Sequence, residues 1–76
     1  MKIFAERLRE LRIEKKLSMK ELAKALNTTD AAVSNWENNI NDPKITYLKD
    51  IAVYFDVTTD YLLGLEDWFF VKFAVL

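Results

Sequence analysis

With no His and no Cys among its 76 residues, this chain has only carboxylates, amides, hydroxyls and cations with which to do chemistry. Thiolate and imidazole catalysis, disulfides and most zinc sites are removed together. There is one Gly, hence no Gly-rich phosphate loop, and no carboxylate pair in an evident pocket. The chain is therefore read as a non-enzyme with no cofactor and no metal. What remains is the chemistry of recognition. The stretch LNTTDAAVSNWENN, residues 26–39, reads as a tight turn running into a short helix that begins at Asp30. From Asn27 to Asn39 it holds no Lys and no Arg. Such a helix can meet DNA only without the usual cationic side chains; otherwise it meets something else.

The formal net charge of −1 hides an asymmetry. Residues 1–27 carry eight Lys and Arg against four Glu, and residues 28–76 carry three Lys against eight acids. A basic first third can face phosphates. It also fits a solvated helix face laced with ion pairs, as the spacing of Glu6, Arg9 and Glu10 allows. Apolar residues make up 51% of the chain, ample for one small core. No basic-then-apolar signal peptide opens it, and no apolar run approaches the ~20 residues that cross a bilayer. The expectation is a cytoplasmic domain with no membrane partner.

Five helices are predicted to position the quoted stretch. Ile3, Phe4, Leu8 and Leu11 recur at helical spacing, so residues 2–16 form an amphipathic helix. Ser18 opens SMKE, a capping box with Glu21, and a second helix over 19–26 buries Leu22, Ala23 and Leu26. Asn27 is the next-best residue type after Gly for a left-handed turn. Thr29 then caps a third helix over 30–38, which turns Val33 and Trp36 inward, and Asn39 repeats the Asn27 device. Pro43 leads into a fourth helix over 44–55, with Ile45, Leu48, Ile51, Ala52 and Phe55 as its core stripe. Thr58 caps a fifth over 59–63, and Gly64 stops it.

Two short helices joined by a tight turn, with one helix before and two after, make a helix-turn-helix domain. The details go further: LSMKELAKAL, VSNWEN, the Asp42-Pro43 loop and FDVTTDYLLG. Over residues 4–64 this pattern resembles the Cro/repressor-like (XRE-type) helix-turn-helix family of phage and bacterial regulators. The resemblance implies an all-α, five-helix domain over residues 1–64. It also implies a small sequence-specific DNA-binding regulator of transcription that acts as a homodimer on double-stranded DNA.

The resemblance assigns the partner-facing positions to Met19, Lys20, Thr29, Asp30, Ala31, Ser34, Asn35, Asn38 and Ile40. Asp30 can accept from cytosine N4, and Ala31 can touch a thymine methyl. Asn35 can bond a base or a phosphate, and Ser34 a phosphate. Lys20, Arg12, Lys15 and Lys16 are the candidates for attraction to the DNA backbone. Two positions depart from the family. Met19 stands where Gln usually contacts DNA, and apolar Ile40 stands where a Lys or Arg usually follows the third helix. These departures keep a second reading open, in which the domain is an anti-repressor or modulator that binds another repressor protein. The resemblance further implies a partly buried ion pair between Arg12 and Glu37.

The end of the chain, residues 65–76, is apolar and separate in composition. DWFFVKFAVL is rich in aromatic and β-branched residues, which favour a strand. Alternation puts Phe69, Val71, Phe73 and Val75 on one face and Phe70, Lys72, Ala74 and Leu76 on the other. With no sheet to join, the segment either folds back as an extended arm or short helix, or pairs with a second chain. The latter makes Trp68, Phe69, Val71, Phe73 and Val75 candidate dimerisation residues.

Overall fold

The structure, a computed structural model, describes residues 1–66. The chain runs through α1 (Lys2–Glu14), α2 (Met19–Ala25), α3 (Asp30–Glu37), α4 (Ile45–Phe55) and α5 (Thr59–Leu62). This is the all-α, five-helix arrangement expected from the apolar periodicity. The readings for Trp68, Phe69, Val71, Phe73 and Val75 lie outside the described residues.

The helix starts follow from hydroxyl side chains. Ser18 Oγ accepts from the Glu21 amide at 3.0 Å, and the Ser18 amide donates to Glu21 Oε1 at 2.8 Å, closing the capping box of α2. Thr29 Oγ1 accepts from the Ala32 amide at 3.1 Å to cap α3, and Thr58 Oγ1 accepts from the Tyr61 amide at 3.0 Å to cap α5. Each cap satisfies one donor that the first helical turn leaves without a partner.

All five helices end in one way. A residue with positive φ donates its amide to the carbonyl three residues back, and the next residue donates to the carbonyl five back. The left-handed residues are Lys16, Asn27, Asn39 and Asp56, with φ of 55–58°, and Gly64 with φ of 83°. The paired bonds are Lys16 to Ile13 and Leu17 to Arg12, Asn27 to Lys24 and Thr28 to Ala23, and Asn39 to Trp36 and Ile40 to Asn35. Asp56 to Val53 with Val57 to Ala52, and Gly64 to Tyr61 with Leu65 to Asp60, complete the set. This double closure occupies carbonyls that the helix end exposes. It ends α1 at Glu14, two residues before the reach of its apolar pattern, because Lys16 already turns left-handed.

Each helix sends one fully buried aliphatic side chain to a common centre: Leu8, Leu22, Val33, Ile51 and Leu62. Burying a side chain of this size stabilises by roughly 1.5–3 kcal/mol. Phe4, Leu11, Ala23, Leu26, Trp36, Ala52, Phe55, Val57 and Tyr61 surround them. Two expected core residues are not there: Ile3 is 47% exposed and Ile45 80% exposed. Both stand in the first turn of their helix, where the stripe has run past the edge of the core. Ile3 instead lies over Gly64, against which an added Cβ would come within 3.0 Å of Ile3 Cγ2.

Candidate nucleic-acid interface

The orientation of α3 is fixed from its inner side. Val33 is fully buried, Trp36 is buried and packs at 5.3 Å ring-centre distance on Tyr47, and Glu37 is anchored to α1. Arg12 Nε donates to Glu37 Oε2 at 2.6 Å and Arg12 Nη2 to Glu37 Oε1 at 3.0 Å. Arg12 Nη1 donates to the Leu17 carbonyl at 2.8 Å, so the same guanidinium also ties the turn before α2. The hydrogen bonds that Arg12 donates to Glu37 raise its pKa above the ordinary value, against a smaller opposing effect of burial. With Val33, Trp36 and Glu37 inward, helical spacing leaves Ala31, Ser34, Asn35 and Asn38 on the outward side; Asp30, in line with Val33 and Glu37, is the first residue of the helix and lies beyond the edge of the core. Asp30, Ala31 and Asn38 are exposed, and Ser34 and Asn35 are half-buried.

These outward residues differ in what they have left to offer. Thr29 spends its hydroxyl as an acceptor for the α3 cap. Asn38 Nδ2 donates to the Ser34 carbonyl at 2.9 Å and to Ser34 Oγ at 3.2 Å, so these two side chains hold each other. Asn35 and Asp30 make no side-chain hydrogen bond or ion pair with any described residue. Ala31 adds a methyl group. The free functional groups of α3 are therefore an amide, a carboxylate and a methyl.

The cations are fewer than the sequence suggested. Arg12 is withdrawn as a phosphate contact: its three nitrogens are bonded within the domain and its side chain is 13% exposed. Lys15 Nζ lies 4.9 Å from the centre of the Tyr54 ring and 5.8 Å from that of Phe55, a cation–π arrangement that draws it toward α4. Lys20 and Lys16 are exposed and carry no ion pair among the described residues. Lys44, at the start of α4 and also exposed, is the first cation after α3; following the Asp42-Pro43 loop rather than the helix, it carries no signal in the sequence that ties it to this face.

Met19 is half-buried and packs against the core, which accounts for an apolar residue at the start of α2. Ile40 follows the left-handed Asn39 in the α3 ending, a place where an apolar residue commonly accompanies this motif. Yet Ile40 is 68% exposed. Glu21, next to Lys20, has its pKa lowered by hydrogen bonds from the Ser18 amide and then the Ser18 side chain. Among the described residues no cluster of acids could hold a metal ion, and no helix is long and apolar enough to cross a membrane.

A family described as helix-turn-helix matches residues 8–62. The HTH-type transcriptional activator BcrR of Enterococcus faecalis is 39% identical over 64 residues, covering 84% of this chain and 31% of BcrR. The chain spans 31–58% of the length of the curated relatives it matches. The P22 c2 repressor bound to a synthetic operator superposes with a TM-score of 0.78 at 27% identity, covering 83% of this chain and 96% of that one. SinR of Bacillus subtilis, in its complex with DNA, gives 0.72 at 30% identity over 79% of this chain and 97% of that one. SinR in its complex with the SinI protein gives 0.73 at 26% identity, covering 95% and 75%.

Proposed function

The chain belongs to the Cro/repressor-like helix-turn-helix family, and from that premise we propose that it is a sequence-specific DNA-binding regulator of transcription. It acts in the cytoplasm as a homodimer. The observation that carries this reading is the outward face of α3. The helix is capped at its start, pinned to α1 by Glu37, turns Ala31, Ser34, Asn35 and Asn38 away from the core, and leaves Asp30 exposed at its first position. A short helix held in this way can enter the major groove with its first residues at the base edges. Lys20, Lys16 and Lys44 supply the attraction to phosphates. A relative in the family is an activator and another is a repressor bound to operator DNA, so the direction of regulation is left to the promoter.

Few cations serve this face, and phosphate contacts supply much of the affinity for DNA. One domain alone is therefore a weak binder. Residues 65–76, with Trp68, Phe69, Val71, Phe73 and Val75, are proposed to join two copies. A two-fold dimer presents two α3 helices to two half-sites.

A second reading is favoured by two features. Residues 27–43 contain no Lys or Arg, and Ile40 stands 68% exposed at the end of α3. That face suits a repressor protein as partner, and SinR shows that a member of the fold can be held by another protein. A gel shift with duplexes from the chain's own upstream region, run beside a pull-down against host repressors, separates the two. Retarded duplex at ~50 mM salt supports DNA as the partner. Capture of a repressor with no retarded duplex supports the second reading.

A further inference from the structure

Asp30 is the first residue of α3, it is exposed, and no described cation or donor pairs with it. Its cap position is already served by Thr29. Its one local benefit is the attraction between a carboxylate and the positive end of a helix, to which any acid in the first turn would contribute. On a groove-entering helix, however, the first residues are those that meet base edges. A carboxylate has acceptors and no donor. In the major groove guanine offers N7 and O6 acceptors, and thymine offers its O4 acceptor beside a methyl. Both repel a carboxylate. Adenine sets an amino donor beside an acceptor, and cytosine presents an amino donor alone.

A second effect adds to the first. Asp30 carries its charge into a groove walled by phosphates, and residues 27–43 hold no Lys or Arg to offset it. It therefore weakens contact with every duplex and recovers part of that loss only at a base with a free amino group. We propose that Asp30 is a specificity filter that works by exclusion: it lowers binding to DNA at large and selects cytosine at its own position in each half-site. Asn35, whose amide is free, and Ala31 add attraction for adenine and for a thymine methyl at the neighbouring positions. The proposal rests on DNA being the partner.

The test uses the full chain and its Asp30→Ala and Asp30→Asn variants. Each is bound to a randomised duplex pool whose retained fraction is sequenced, and each is titrated with a random-sequence duplex at ~50 mM salt. Circular dichroism confirms that the variants remain helical; Asp30→Asn keeps the shape of the side chain. The native chain is expected to enrich cytosine at one position per half-site. Asp30→Ala loses that preference, leaves the other positions as they were, and binds the random duplex several-fold more tightly. Asp30→Asn shifts the preference to adenine, whose N6 and N7 match an amide. A single good base contact discriminates by roughly 5- to 100-fold, so the change is well within reach of the selection. Duplex binding with an unchanged base profile, or with no gain on the random duplex, overturns the filter and leaves DNA as the partner. No duplex binding by the native chain or either variant overturns both.

Discussion

Arg12 and Glu37 face each other across α1 and α3 through two parallel hydrogen bonds, with the Glu37 side chain only 2% exposed. Such a pair adds little net stability over an apolar one, because both charges were taken out of water to form it. Breaking it from one side is costly, since a buried charge loses its partner. Glu37→Ala is expected to destabilise by about 2–4 kcal/mol in urea unfolding. Replacing both with Arg12→Met and Glu37→Leu is expected to recover more than half of that loss. Equal destabilisation by the single and the double replacement would contradict this account of the pair.

The left-handed helix ends give a prediction of opposite sign at two positions. Lys16 is exposed and sits at φ 58°, where a residue with a Cβ is disfavoured. Lys16→Gly removes that strain, at a smaller cost in chain entropy, and should stabilise by about 0.5–1 kcal/mol. Gly64→Ala adds a Cβ at φ 83° that meets Ile3 at 3.0 Å, and should destabilise by about 1–2 kcal/mol. Thermal melts of the two variants check both signs.

Glu21 carries the pH prediction. Its pKa lies below the ordinary value of 4.5 because the ionised carboxylate accepts from the Ser18 amide and is further favoured by the Ser18 side chain. A carboxylate whose pKa is lowered by folding contributes stability above its unfolded value and loses it as pH falls through the folded one. The capping box thus holds α2 at neutral pH and weakens below about pH 4.5. An NMR titration of the Glu21 carboxyl should give a midpoint under the ordinary value, and Ser18→Ala, which keeps the amide donor, should return it upward only in part. A native midpoint at or above the ordinary value contradicts the assignment.

The apolar segment carries the prediction for assembly. Sedimentation of the full chain and of a chain ending at residue 66, at several concentrations, should show a dimer for the first and a monomer for the second. The same mass for both would remove residues 67–76 as the dimerisation element.

Most of the helical plan is legible in the sequence because hydroxyl caps and apolar periodicity are local signals. Ser18, Thr29 and Thr58 each cap the helix that their position suggests. Asn27, Asn39 and Gly64 are residue types that announce a left-handed turn, and all three make one. Lys16 and Asp56 make the same turn without announcing it, Lys because it has no preference for that conformation and Asp because it more often marks a helix start. Periodicity also overstates burial at helix beginnings, as Ile3 and Ile45 show, because it records a stripe and not where the core ends.

On the interface, residue types identify the outward face of α3 but not which groups remain free. The bond from Asn38 to Ser34, and the diversion of Arg12 and Lys15 to Glu37 and to the Tyr54 ring, depend on distances between side chains. Arg7 is a further case. Its Nη1 donates to the carbonyls of Tyr61 and Glu66, and its guanidinium lies 4.3 Å from the centre of the Tyr61 ring. Backbone carbonyls carry no residue signal, so this fastening of α5 to α1 could not be read from the sequence.

Two variants on two duplexes across a salt series separate base reading by the outward face of α3 from phosphate contact by the lysines beside it. The selected site and an unrelated duplex are titrated with the native chain, Asn35→Ala and Lys20→Ala. Asn35→Ala should weaken the selected site by roughly 5- to 100-fold and leave the unrelated duplex nearly unchanged. Lys20→Ala should weaken both alike and flatten the dependence of log affinity on log salt by about 0.9, one phosphate contact. Equal effects of Asn35→Ala on both duplexes, or no duplex binding at ~50 mM salt, would contradict base reading by this face.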